Sequence, residues 1–152
     1  DADSLARLAD AAKSNPGVIY GQTQVVNAER QVVGMRHLTA PAQLSADDFK
    51  HGMLVCHQAF VARRDIAPAY DLAYRFSADY DWCIRVLRQS DHNAYVGEKP
   101  IVSFLTDGLT HKHHKASLKE RYQIMCRYYG TCATTLRHIG FAFRALARKL
   151  KK

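Results

Sequence analysis

No run in the chain approaches the roughly 18 consecutive apolar residues that a membrane-spanning helix needs, so the sequence argues against a segment crossing a bilayer. A Cys-x-x-Cys pair is also missing: Cys56, Cys83, Cys126 and Cys132 stand apart from one another. That spacing disfavours both a zinc knuckle and a dense disulfide framework, and makes a reducing cytoplasm the simplest setting. Each thiol then reads as a small buried hydrophobe. Internal repeats and low-complexity tracts are absent. Neither an initiator Met nor a basic-then-apolar leader precedes Asp1, so the expectation is a piece of a longer chain. What is present, 47% hydrophobic and 24% charged residues over 152 positions, is the composition of one ordinary globular domain. It excludes a disordered tail, a collagen-like fibre and a coiled-coil rod.

Acidic residues are scarce in one place only. The net charge is +8, yet residues 1–109 carry 11 Lys and Arg against 13 Asp and Glu, a balance of −2. Residues 110–152 carry 11 against a single acid, a balance of +10. Such asymmetry points the basic end at an anionic surface, either nucleic acid or lipid headgroups.

Local patterns divide the chain into helices and strands. Asp3 and Ser4 can cap a helix bearing Leu5, Leu8, Ala9 and Ala12, which Asn15-Pro16-Gly17 stops. The β-branched Val18-Ile19-Tyr20 and Gln24-Val25-Val26, the polar 27–30 turn and Val32-Val33 predict strands with a hairpin, and Gly21 marks a bulge or a close backbone approach. Ser45 and Asp48 are spaced as a capping box for a short helix with Phe49 inward. Met53 to Ala62 reads as a buried strand interrupted at His57-Gln58, and 79–89 as an amphipathic helix opening on two carboxylates. Strands are expected at 94–96 and 101–105, a polar His-rich loop at 106–115, a helix capped by Ser117 and ending at Tyr129, and, after Gly130, a last helix to Leu150. Strands and helices alternate without a regular βαβ period, so the predicted class is α/β with a mixed sheet, packed helices and a C-terminal helical extension.

The densest chemical signal is Phe76-Ser-Ala-Asp79-Tyr-Asp81-Trp-Cys-Ile-Arg85. Acids at a helix start serve as caps and complement the helix dipole. They serve equally as a general base whose orientation is held by fixed N–H groups. Asp79 and Asp81 are two apart and so diverge around the helix.

Three segments in order, Gly17-Val-Ile-Tyr-Gly21, Cys56-His-Gln-Ala-Phe-Val-Ala-Arg-Arg64 and Ala78-Asp-Tyr-Asp-Trp-Cys-Ile-Arg85, resemble the second half of a bacterial family-2 glycosyltransferase of the GT-A fold. The likeness covers residues 1 to about 130, closing on Tyr128-Tyr129-Gly130, and leaves 131–152 as a basic amphipathic tail. It implies a partial GT-A fold and inverting transfer of a sugar from a nucleotide-sugar donor to an acceptor hydroxyl on a glycan or lipid-linked acceptor, in polysaccharide or glycolipid assembly at the cell envelope. Asp79 falls where such enzymes keep the aspartate that deprotonates the acceptor; the Glu of the commoner pattern is Ala78, which keeps Asp81 as a second candidate. Arg85 matches the motif's Arg, as a substrate contact or as a salt bridge to Asp81 at i, i+4. His57 and Gln58 match a turn that approaches donor and acceptor, and His57 also suits a satisfied core position.

The resemblance further implies a divalent cation, Mg²⁺ or Mn²⁺, on oxygen ligands. Asp1-Ala2-Asp3 has the Asp-x-Asp spelling, but its place at a helix cap matches the helix after that motif, so the main ligands are expected upstream and this piece alone is expected to be inactive. In the His111-Lys-His113-His114 cluster, His111 is the candidate late metal ligand, against a solvated basic loop. Residues 136–152 set Leu136, Ile139, Phe143, Leu146 and Leu150 on one stripe with six Lys and Arg and no acid. That is the pattern of a helix lying on anionic lipid, or of a packed helix with a basic outer face. The expected location is cytoplasmic, peripheral on the inner face of the membrane. The alternative is a small basic nucleic-acid-binding or non-catalytic interaction domain; against nucleic acid, no Gly-x-x-Gly, helix-turn-helix or aromatic-basic sheet motif is present.

Overall fold

The computed structural model of the chain describes residues 2–105 and 114–149. Helix α1 spans Ala2–Ala12 and ends where Asn15 takes a positive φ of 50° before Pro16. Its inward face differs from the expected Leu5-Leu8-Ala9-Ala12 stripe. Ser4 is buried and Leu5 is 69% exposed, because Arg7 turns inward to donate to the carbonyls of Val96, Lys99 and Pro100.

The chain then builds two small mixed sheets, and with four helices the class is α/β. Strand β1 (Val18–Tyr20) is central in the first, antiparallel to β4 (Phe60–Ala62) and parallel to β5 (Asn93–Tyr95). In the second, β2 (Thr23–Val26) is central, antiparallel to β3 (Val32–Met35) and parallel to β6 (Val102–Leu105). The switch between sheets falls at Gly21-Gln22. A Cβ on Gly21 would lie 2.7 Å from Val96 Cγ2 and 3.0 Å from the Ile101 side chain, so a larger residue there would have to displace both. Buried Gln22 clamps the Ala40 backbone from both sides, donating to its carbonyl and accepting from its N–H.

Residues 36–59, between β3 and β4, contain no strand, contrary to the expected extended segment at 53–56. Short 3₁₀ turns at Ala46–His51 and His57–Ala59 break the path, while Met53, Val55 and Cys56 are buried. Side chains meet the polar backbone of this strap. Arg36 donates to the carbonyls of Leu38, Met53 and Leu54. Asn93 donates to the carbonyl of Leu44, and three phenols from three elements reach further carbonyls. Tyr20 of β1 reaches the carbonyls of Pro41 and Ala42, Tyr80 that of Phe49, and Tyr129 that of Ala46 at 2.5 Å. The Ser45–Asp48 capping box is present, and Phe49 is fully buried against Tyr80.

Helix α2 (Ala78–Leu87) supplies Tyr80, Cys83, Ile84 and Val86 to the core, and α3 (His114–Tyr129) adds Ile124 and Met125. Ser117 lies inside α3 and does not cap it; its hydroxyl and carbonyl meet the Ser77 hydroxyl at the start of α2. Gly130, at φ 83°, turns the chain into α4 (Thr131–Lys149), which packs on α3. No helix among the described residues is long and apolar enough to cross a membrane.

Burial raises the phenols of Tyr80 and Tyr129 well above the ordinary range and pushes that of Tyr20 up to about 12. The folded state thus favours the protonated phenol over the unfolded chain, where tyrosine titrates near 10. Stability from these groups is complete below about pH 10 and is lost as pH rises towards 12. Equilibrium urea unfolding at a series of alkaline pH values should show that decline. Tyr80→Phe should cost about 1 kcal/mol at neutral pH and flatten the alkaline slope.

Candidate active site

The start of α2 is built by its neighbours. Ser77 sits at the N-cap in a non-helical conformation, with its hydroxyl turned to Ser117 and not to the helix amides. Just upstream, the backbone N–H groups of Arg75 and Phe76 donate to the two carboxylate oxygens of Glu120 at 3.0 and 2.8 Å. Glu120 is the lone acid of residues 110–152, and the structure spends it on holding the loop that enters α2.

From that start the two aspartates part. Asp81 is fully buried. Its Oδ2 accepts from Arg85 Nε at 2.7 Å and its Oδ1 from the Tyr128 hydroxyl at 2.7 Å, which ties α2 to α3. Burial first, and then the bond to Asp81, push the Tyr128 phenol up to about 12, so it remains a donor. With both oxygens engaged inside the protein, Asp81 is placed as a structural group and not where it would meet an incoming hydroxyl. Arg85 is placed as its partner, in the i, i+4 arrangement, with Nη2 buried and without an acceptor among the described residues.

Asp79 faces the other way. Its side chain is 31% exposed, Oδ1 accepts the backbone N–H of Tyr80 at 2.8 Å, and Oδ2 lies 3.7 Å from His57 Nδ1. At that distance the pair is a close approach and not a hydrogen bond. His57, exposed on the 3₁₀ turn before β4, is therefore not a core histidine. Its neighbour Gln58 is exposed too, and its amide oxygen accepts from the Cys56 thiol at 3.1 Å, which fixes the turn from beneath.

An aromatic wall that sequence reading missed stands beside the carboxylate. Trp82 donates its indole N–H to the Pro68 carbonyl at 2.7 Å and stacks on Tyr70, with ring centroids 5.3 Å apart and planes 19° from parallel. Tyr70 is 45% exposed, and burial of its inner side together with the nearby Asp79 charge raises its phenol. Trp82 also meets Phe60 edge-on. No local pattern marks Tyr70, since only the fold carries residues 68–70 back over α2.

Thus Asp79 lies at the surface between His57, 3.7 Å away, and the nearby Tyr70, Asp81 and Arg85 turn towards each other, and His111 lies outside the described residues. Asp3 of the Asp-x-Asp spelling is paired with Arg7 and Lys99 in the first turn of α1. Among the described residues no three His, Cys, Asp or Glu side chains converge as a cation-binding set. No protein-family model, no characterised protein and no solved structure matches the chain.

The different settings of the two aspartates separate experimentally. Asp81→Ala strands the Arg85 guanidinium and the Tyr128 hydroxyl and should cost about 3–5 kcal/mol in urea unfolding. Asp79→Ala should change stability by less than about 0.5 kcal/mol. Glu120→Ala, which leaves two backbone donors without their acceptor, should cost about 1–3 kcal/mol.

Proposed function

We propose that this chain carries the acceptor-activating half of an inverting glycosyltransferase, with Asp79 as the general base and the two small sheets as part of a GT-A fold. The observation that carries this reading is the separation of two neighbouring carboxylates. One is internal and fully bonded, while the other is partly exposed, oriented by a helix N–H and set 3.7 Å from a histidine, with Tyr70 nearby.

In that geometry Asp79 Oδ2 takes the proton of the acceptor hydroxyl as its oxygen attacks the anomeric carbon. The bond from that carbon to the nucleoside diphosphate breaks on the opposite face, and its electron pair leaves with the diphosphate, so configuration inverts. His57 limits the positions open to the acceptor and offers a ring nitrogen to a sugar or phosphate oxygen. Tyr70, braced by Trp82, presents an apolar face of the kind on which sugar C–H groups pack. Arg85 acts at one remove, by holding Asp81 and with it the first turns of α2.

Donor binding is assigned to chain outside the described residues, so the test uses the longest reading frame that contains this sequence. That protein should release nucleoside diphosphate from a nucleotide-sugar in an acceptor-dependent way. Asp79→Asn should lower turnover by about 100-fold or more while leaving urea stability unchanged. His57→Ala should lower it less. Undiminished turnover in Asp79→Asn, or no acceptor-dependent release with any nucleotide-sugar, would overturn the reading.

A further inference from the structure

Helix α4 meets the body of the protein through one face. Thr134 is fully buried, and His138 packs edge-on against Tyr122 and against Phe141, with ring centroids 5.1 and 5.4 Å apart. Phe141 in turn packs against the core. At 100° per residue, 134, 138 and 141 lie within about 60° of one another.

The opposite face is apolar and uncovered. Leu136 is 72% exposed, Ile139 49% and Phe143 68%, and Cys132 is exposed in the same line. The spacing of four, three and four residues keeps these positions within an arc of about 60°, centred nearly opposite the packed face. The sequence repeats the spacing at Leu146 and Leu150. Residues 131–152 add six Lys and Arg and no acid, with Arg137, Arg144 and Lys151 at seven-residue intervals beside the stripe. A shallow depression lined by Ala133, Leu136 and Arg137 joins the apolar and the basic flanks.

We propose that this face of α4 docks on an anionic phospholipid bilayer, lying in the plane of the interface with Leu136, Ile139 and Phe143 inserted among the acyl chains. Charge decides between the occupants the stripe would admit. A second copy of the chain would fit the seam-like spacing, but pairing would set six cations against six with no acid at the flanking positions Gly140, Ala142, Ala147 and Lys149 to offset them. A nucleic acid would satisfy the cations and leave the apolar stripe in water. An anionic bilayer satisfies both, headgroups meeting the basic flank and acyl chains the stripe. The assignment stands independently of the role given to Asp79.

Sedimentation of the 152-residue chain with phosphatidylcholine vesicles, and with vesicles containing one third phosphatidylglycerol, tests it. Binding to the anionic vesicles should exceed that to the neutral ones by at least about tenfold and weaken with salt. Phe143→Glu and the double variant Leu136→Glu/Phe143→Glu should each lose at least about tenfold of that binding with an unchanged circular dichroism spectrum, because the replaced side chains are already in solvent. Undiminished vesicle binding by both variants overturns the proposal, as does failure of the parent chain to bind anionic vesicles. Dimerisation abolished by Phe143→Glu, or nucleic-acid binding indifferent to it, in a chain that ignores vesicles, would assign the face to one of the other occupants.

Discussion

The strap that leads to the candidate site is held by three phenols, two of which, Tyr20 and Tyr80, are fully buried. Residues 36–59 run through the molecule without a sheet ladder to satisfy their backbone, and a buried carbonyl without a partner is costly. Tyr20, Tyr80 and Tyr129 meet four of the strap's carbonyls from β1, α2 and α3, and Arg36, Gln22 and Asn93 meet others. The same bonds therefore do two things. They make an irregular segment part of the core, and they bring its far end, the turn bearing His57 and Gln58, to a defined position against the start of α2.

Helix α3 does for α2 what the phenols do for the strap. Glu120 holds the two backbone amides before the helix, Ser117 holds the Ser77 hydroxyl, and Tyr128 takes one oxygen of Asp81. The Asp81–Arg85 pair gains from this third partner, since a buried carboxylate is stabilised by hydrogen bonds to its second oxygen. What results is a helix start whose backbone is held from behind, leaving Asp79 as its outward group. Such support is the physical condition for a base that must keep its place while its proton arrives.

The charge distribution has a similar division of labour. Within the basic last third, the one acid bonds backbone at the entry to α2, while α4 leaves Leu136, Ile139 and Phe143 exposed. Net charge alone would describe the whole chain as basic, although the portion bearing the candidate site is slightly acidic.

Sequence alone determined the α/β class, the four helices within a few residues and the β2–β3 hairpin, because each rests on local periodicity, capping or turn chemistry. It also singled out Asp79 and Asp81 together, since acids at a helix start are visible as spelling. It did not distinguish them. Two residues along a helix is a rotation of about 200°, and which direction faces the protein depends on where α3 lies. For the same reason Tyr70, Glu120 and Tyr128 carried no local signal: their roles are contacts across 12 to 47 residues of chain. The strand expected at 53–56 failed because apolar runs show burial without showing how the backbone is bonded, and here side chains replaced the ladder. Composition and spacing, then, decided most of the elements; only the tertiary structure decided which faces are buried, which polar groups are spent on holding the fold together and which are left at the surface.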